Sequence, residues 1–147
     1  MKKILASLSI FLNCSLLAAA PSPTRHENFH SSQTRYNRPA SSIVYLNADN
    51  FQQILSNPLP IILDVYTDWC GPCKQLAPIF EELNKELGNR YLFVKLNADQ
   101  QKNLSDHFNI QALPTLIFIR DGKELGRSSG FVNKSQLASM IKSYFGH

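Results

Sequence analysis

Residues 60–67, PIILDVYT, are an apolar run broken by a single Asp. A strand with one wet face alternates apolar and polar side chains. One that is apolar throughout is covered on both faces. This segment therefore predicts a strand at the centre of a sheet, with helices above and below it. The neighbouring segments supply those layers. IVYL (43–46) reads as a short strand. NADNFQQILS (47–56) opens on capping residues and continues with Phe51, Ile54 and Leu55 at helical spacing, and Asn57-Pro58 ends it. Residues 71–87 predict a helix with Leu76, Ile79, Phe80, Leu83 and Leu87 on one side, Pro78 inside it and Gly88 as its stop. YLFVKLNA (91–98) is the next strand, and DQQKNLSDHF (99–108) a short helix capped by Asp99. TLIFI (115–119), the turn Asp121-Gly122 and KELGRSS (123–129) predict a hairpin. NKSQLASMIKSYF (133–145) predicts a terminal helix, with Asn133 and Gln136 spaced as a capping box. The order β-α-β-α-β-α-β-β-α gives an α/β fold with one mixed sheet and helices on both faces.

The remaining third of the chain has a different texture. Lys2 and Lys3 precede an almost wholly apolar or small stretch, residues 4–20, that ends in LLAAAPSP. This predicts a signal peptide over 1–20. Pro21 would follow the cut, which is unfavourable for cleavage. An N-terminal membrane anchor through residues 4–20 is the second reading, since 17 apolar residues sit at the short limit for a span. Cys14 lies inside this run, where a small apolar filler is its plain role. Residues 21–42 are rich in Pro, Ser, Asn and Arg and predict a flexible linker. His26 and His30 fall within it, four apart but without a helix signal or a third ligand nearby. The expected folded domain is 43–147. Charge separates the two parts. Residues 1–40 hold five of the 15 Lys and Arg and one acid, whereas residues 41–147 hold ten of each sign. The net charge of +4 belongs to the tail, so the domain carries no basic footprint for nucleic acid.

The chemistry sits where the buried strand gives way to the long helix, in DVYTDWCGPCK (64–74). Cys70 falls at the helix start. The unpaired N–H groups and positive dipole end there favour a thiolate. Cys73 follows three residues later on the same helix face, within bonding reach. Pro72 suits an early helical position, and Gly71 lets another chain approach. A reversible dithiol–disulfide couple follows, with Cys70 attacking and Cys73 resolving. Two plainer readings stand beside it. A structural zinc would need two further ligands, and the domain has no second Cys pair and only His107 and His147. An inert staple closing so short a loop would stabilise little. Asp64, the lone charge in the buried run, either occupies an exposed strand position or lies beneath the pair. In the second case burial would raise its pKa and let it take a proton from the resolving thiol.

These residues together resemble the thioredoxin family. DWCGPCK is very close to that family's active-site signature, and Asp64 sits at its buried-acid position. ALPTLIFI matches its turn and strand, and SGFVNKSQL its last loop and helix start. The match runs from about Ile43 to Phe145. The resemblance implies that Cys70 is the nucleophile, Cys73 the resolving cysteine and Asp64 the acceptor of its proton, with Lys95 tuning that acid electrostatically. It implies that Pro114 follows a cis bond facing the cysteines and that Leu113 offers backbone hydrogen bonds to an extended substrate. Trp69, Gly71, Pro72 and Gly130 should border the docking groove, although Trp69 as ordinary core is the bland alternative. Tyr66 departs from the pattern, since many relatives carry a tryptophan there.

The expected function is an exported oxidoreductase that reduces protein disulfides, a monomer with no cofactor and no metal. Bacterial periplasm, with possible attachment to the inner membrane, is the expected location. Its partners would be disulfide-containing clients and an electron donor outside the cytosol, such as a membrane thiol transporter. The competing functions are an envelope disulfide oxidase or isomerase, and a binding module whose redox activity is incidental.

Overall fold

The computed structural model describes residues 42–146. The expected signal or anchor (1–20), nearly all of the expected linker (21–42), Cys14, His26, His30 and His147 lie outside the described residues. The described chain runs β1 (Val44–Tyr45), α1 (Phe51–Leu55), β2 (Ile61–Tyr66), α2 (Gly71–Leu87), β3 (Leu92–Asn97), α3 (Lys102–His107), β4 (Thr115–Arg120), β5 (Lys123–Ser129) and α4 (Lys134–Phe145).

The five strands form one sheet in the order β1-β3-β2-β4-β5. β2 is the central strand, paired parallel with β3 and antiparallel with β4. Its apolar run is explained by that position. Ile61, Leu63 and Val65 face a core with Ile54 of α1 and Leu104 of α3. Ile62 faces the opposite core, built from Leu76, Phe80 and Leu83 of α2 and Leu137, Ile141 and Phe145 of α4. Asp64 and Tyr66 alternate with the first set and share the second face. This places the single acid of the run under α2, the helix that carries the cysteines.

Local signals differ in how far they hold. The capping box of α4 forms in full, with Asn133 Oδ1 accepting from the Gln136 N–H at 2.9 Å and Gln136 Oε1 from the Asn133 N–H at 2.9 Å. Asp121 and Gly122 both have positive φ (52° and 70°), as a tight hairpin turn requires. The capping residues before α1 do something else. Asn47 and Asn50 exchange backbone-to-side-chain hydrogen bonds at 2.9 and 3.0 Å, so residues 47–50 are a turn and the helix is only five residues long. Asp99 caps no helix either. Asn97 Oδ1 accepts from the N–H groups of Asp99 and Gln100, holding a turn that delays α3 to Lys102. The Asp99 carboxylate is spent elsewhere, on Trp69.

One glycine is fixed by packing. A Cβ on Gly126 of β5 would lie 2.4 Å from Cε1 of Tyr144. That ring cannot simply swing away, because it stacks on Phe118 at 4.5 Å. Gly126→Ala should cost ~1–3 kcal/mol by overpacking, read as a lower midpoint in denaturant. In a Tyr144→Ala background the cost should largely vanish. An additive double variant would refute the clash.

Candidate active site

β2 ends at Tyr66, and four residues later the chain enters α2 with Cys70 as its N-cap (φ −76°, ψ 109°). Cys70 Sγ accepts a hydrogen bond from the Cys73 N–H at 3.2 Å. The sulfur thus sits where the unpaired amides of the first turn and the positive end of the helix dipole converge, which stabilises negative charge on it. Pro72, in this first turn, lacks only a donor that has no intrahelical partner. Cys70 and Cys73 are joined by a disulfide (S–S 2.09 Å).

The two sulfurs have unequal surroundings. Cys70 lines a groove of ≈ 530 Å³ together with Trp69, Gly71, Pro72, Leu113 and Ala112. Cys73 is not among the lining residues. Both residues are buried, Cys70 5% and Cys73 4% exposed, so the groove and not burial separates them, and Cys73 lies one turn before the core residue Leu76. Trp69 is 71% exposed, so it is not core. Its Nε1–H donates to Asp99 Oδ2 at 2.8 Å, while Asn97 Nδ2 donates to Asp68 Oδ2 at 3.2 Å. These bonds tie the segment before Cys70 to the end of β3. The facing loop is equally constrained. The Leu113–Pro114 peptide is cis. Pro114 O accepts from the Gly130 N–H at 2.8 Å, and Thr115 Oγ1 donates to Ala112 O at 2.8 Å. Pro114 is buried behind the groove rather than lining it. Gly130 likewise lies off the lining and acts on it through Pro114. Its φ of +92° is a conformation L side chains avoid.

Beneath α2, Asp64 is 1% exposed. Burial pushes its carboxyl up from 3.8 to about 6, against the opposing attraction of Lys95. Lys95 stands directly across from it in the β2–β3 register, with Nζ 3.7 Å from Oδ2. The other oxygen, Oδ1, has no hydrogen-bond partner among the described residues. A carboxylate ionised only near neutrality, with one oxygen free, is equipped to accept and return a proton. No three His, Cys, Asp or Glu side chains are grouped to hold a metal ion among the described residues.

Of the residues the sequence reading singles out, Trp69, Cys70, Gly71, Pro72 and Leu113 line one groove, Cys73 is bonded to Cys70, and Asp64 and Lys95 pair with each other, while Pro114 and Gly130 lie off the lining. That reading missed Ala98, Ser105, Ile110, Gln111 and Ala112, which complete the groove, and Asp99 and Asn97, which brace Trp69 and Asp68. They come from three stretches, 97–99, 105 and 110–112, all remote in sequence from Cys70.

The family model for thioredoxin matches residues 42–143. A thioredoxin of Mycoplasmoides gallisepticum is 38% identical over 96 residues, covering 65% of this chain and 95% of that protein. One of Haemophilus influenzae is 33% identical over 105 residues, covering 71% and 98%. The crystal structure of a Malassezia sympodialis thioredoxin superposes with a TM-score of 0.66 at 28% identity, covering 73% of this chain and 94% of that one. With the cysteine pair at disulfide distance at the head of α2, the chain belongs to the thioredoxin family and is a thiol–disulfide oxidoreductase.

Proposed function

We propose that this protein is an exported reductant of protein disulfides. The unequal setting of the two sulfurs carries the reading, since Cys70 lines the groove and Cys73, in the first turn of the helix packed over the Asp64 face of the sheet, does not. In the reduced protein the Cys70 thiolate attacks one sulfur of a client disulfide. A Cys70–client bond forms, the client S–S bond breaks, and the departing client thiolate takes a proton from solvent. The Cys73 thiol then gives its proton to Asp64 and its thiolate attacks Cys70 Sγ. The Cys70–Cys73 disulfide forms and the second client thiolate leaves, taking up a proton in turn. Two electrons pass from the cysteine pair to the client. Trp69, Gly71 and Pro72 border the docking groove. Leu113 supports an extended client segment, as neither its N–H nor its C=O has a backbone partner among the described residues. Lys95 tunes Asp64.

The Gly-Pro dipeptide supports net reduction, and the Lys2-Lys3 start with the apolar run 4–20 supports export, with or without anchoring. Among the described residues no helix is long and apolar enough to cross a membrane. A donor outside the cytosol, such as a membrane thiol transporter, would then have to re-reduce the pair. Equilibration of the purified protein with glutathione tests the direction. A potential near about −270 mV is expected. One near about −120 mV would make it an oxidant and overturn the proposal. N-terminal sequencing of protein from fractionated cells tests export, which full-length protein confined to the cytosol would refute.

A further inference from the structure

The alternation of β2 puts Tyr66 on the same face as Asp64, two residues further along. Across the parallel register, Lys95 lies opposite Asp64, and Asn97 opposite Tyr66. The Lys95 side chain therefore meets both β2 residues. Its Nζ is 3.7 Å from Asp64 Oδ2 and 4.5 Å from the centroid of the Tyr66 ring. Lys95 is only 7% exposed, so its long side chain is largely enclosed. An ammonium drawn inward loses part of its water, and the carboxylate and the ring face are the two partners the structure gives it in return. Tyr66 itself is half-buried, with the ammonium on its inner side. Burial also raises its hydroxyl above the ordinary value of 10.0, so the ring stays uncharged over the working range.

We propose that Tyr66 is a positioning residue for the resolving step, its ring holding the Lys95 ammonium beside the Asp64 carboxylate. This rests on the reading of Asp64 as acceptor of the Cys73 proton. The surroundings of Asp64 offer few substitutes. β4 brings the apolar Leu116 to its register position. α2, packed over this face, brings Cys73 in its first turn, and Lys95 is the charge β3 contributes. Near Tyr66 stand Asn97, Tyr45 and the exposed Asp68. A lysine has four rotatable carbons and a strongly hydrated head. Without the ring, the ammonium would gain water and turn outward. Asp64 would stay buried but lose its counter-charge, and would hold its proton to higher pH. Resolution, which uses the ionised carboxylate, would then begin at higher pH.

The test is stopped-flow release of the second thionitrobenzoate when dithiol protein meets that reagent's disulfide, followed against pH. Tyr66→Leu should move the midpoint of the resolving phase up by about 0.5, the scale of a partly desolvated cation–π contact. Lys95→Met should move it further the same way, and Tyr66→Leu added to it should do nothing more. Tyr66→Phe, which keeps the ring face, should retain the wild-type midpoint. Tyr66→Met serves in place of the Leu variant if that one fails to fold. A midpoint unmoved or lowered in Tyr66→Leu overturns the proposal, as does a Phe variant that behaves like Leu. Asp64→Asn separates the failures. If it removes the pH-dependent phase while Tyr66→Leu leaves the midpoint in place, only the role of Tyr66 falls. If Asp64→Asn leaves the profile intact, both readings fall.

Discussion

Cys73→Ser should turn the protein into a trap, joined one-to-one to its clients through Cys70. The Cys70 thiolate remains at the N-cap of α2, in the groove, with the same amide directed at it. It can still open a client disulfide, but the hydroxyl at 73 cannot displace the client sulfur. The mixed disulfide should accumulate and appear as a single adduct by non-reducing mass measurement. Cys70→Ser should give the opposite result. The remaining thiol at 73 is off the groove, so adducts should be absent. Turnover should fall on the order of 10⁴-fold or more, as for loss of other enzymic nucleophiles. The contrast between the variants carries the argument, because a symmetric pair would trap equally from either side. Equal adducts from both would refute the assignment of attacking and resolving roles.

Much of this was legible because the signals were local. A continuous apolar run demands two covered faces, and β2 is buried from Ile61 to Val65. A cysteine after a strand and before a Pro at the helix start is an N-cap, and so it is. The box at Asn133 and Gln136 and the Asp121-Gly122 turn are closed within four residues. What stayed hidden depends on register and on long connections. Asp99 looks like a helix cap until Trp69, 30 residues earlier, is brought beside it. Asp64 offers no sign of its face until the alternation of β2 is joined to the packing of α2. The contact between Lys95 and Tyr66 requires the in-register pairing of β2 with β3, which no propensity encodes. The groove is harder still, since Ala98 after β3, Ser105 on α3 and Ile110 beyond it line the same groove as Cys70 only in the folded chain.

Asp64→Asn should make the protein more stable at neutral pH and slower at its chemistry. The two effects share one cause. Asp64 binds its proton more tightly folded than unfolded, with a folded value of about 6 against an ordinary 3.8. Its contribution to stability is therefore fully present below about pH 4 and is lost as pH rises through 6. Above that range the ionised carboxylate costs ~3 kcal/mol relative to the protonated one, at 1.36 kcal/mol per pH unit. The attraction of Lys95 is already inside that figure, and burial outweighs it. The neutral amide should thus recover about 2–3 kcal/mol at pH 8, roughly 10 °C in Tm, and close to nothing at pH 4. The competing expectation is that removing one member of a buried pair strands the other and destabilises. Here the carboxyl's preference for its neutral form decides against it, and Lys95 keeps the Tyr66 ring at 4.5 Å. The same substitution removes the acceptor for the Cys73 proton. Mixed disulfides should then persist longer, by on the order of 10²-fold at pH 7, the usual scale for a general base. Denaturant melts at pH 4 and pH 8, run beside resolution kinetics, would check both halves. A variant less stable than the parent at pH 8, or one that resolves mixed disulfides at the parent's rate, would show that the buried acid is neither the burden nor the base described.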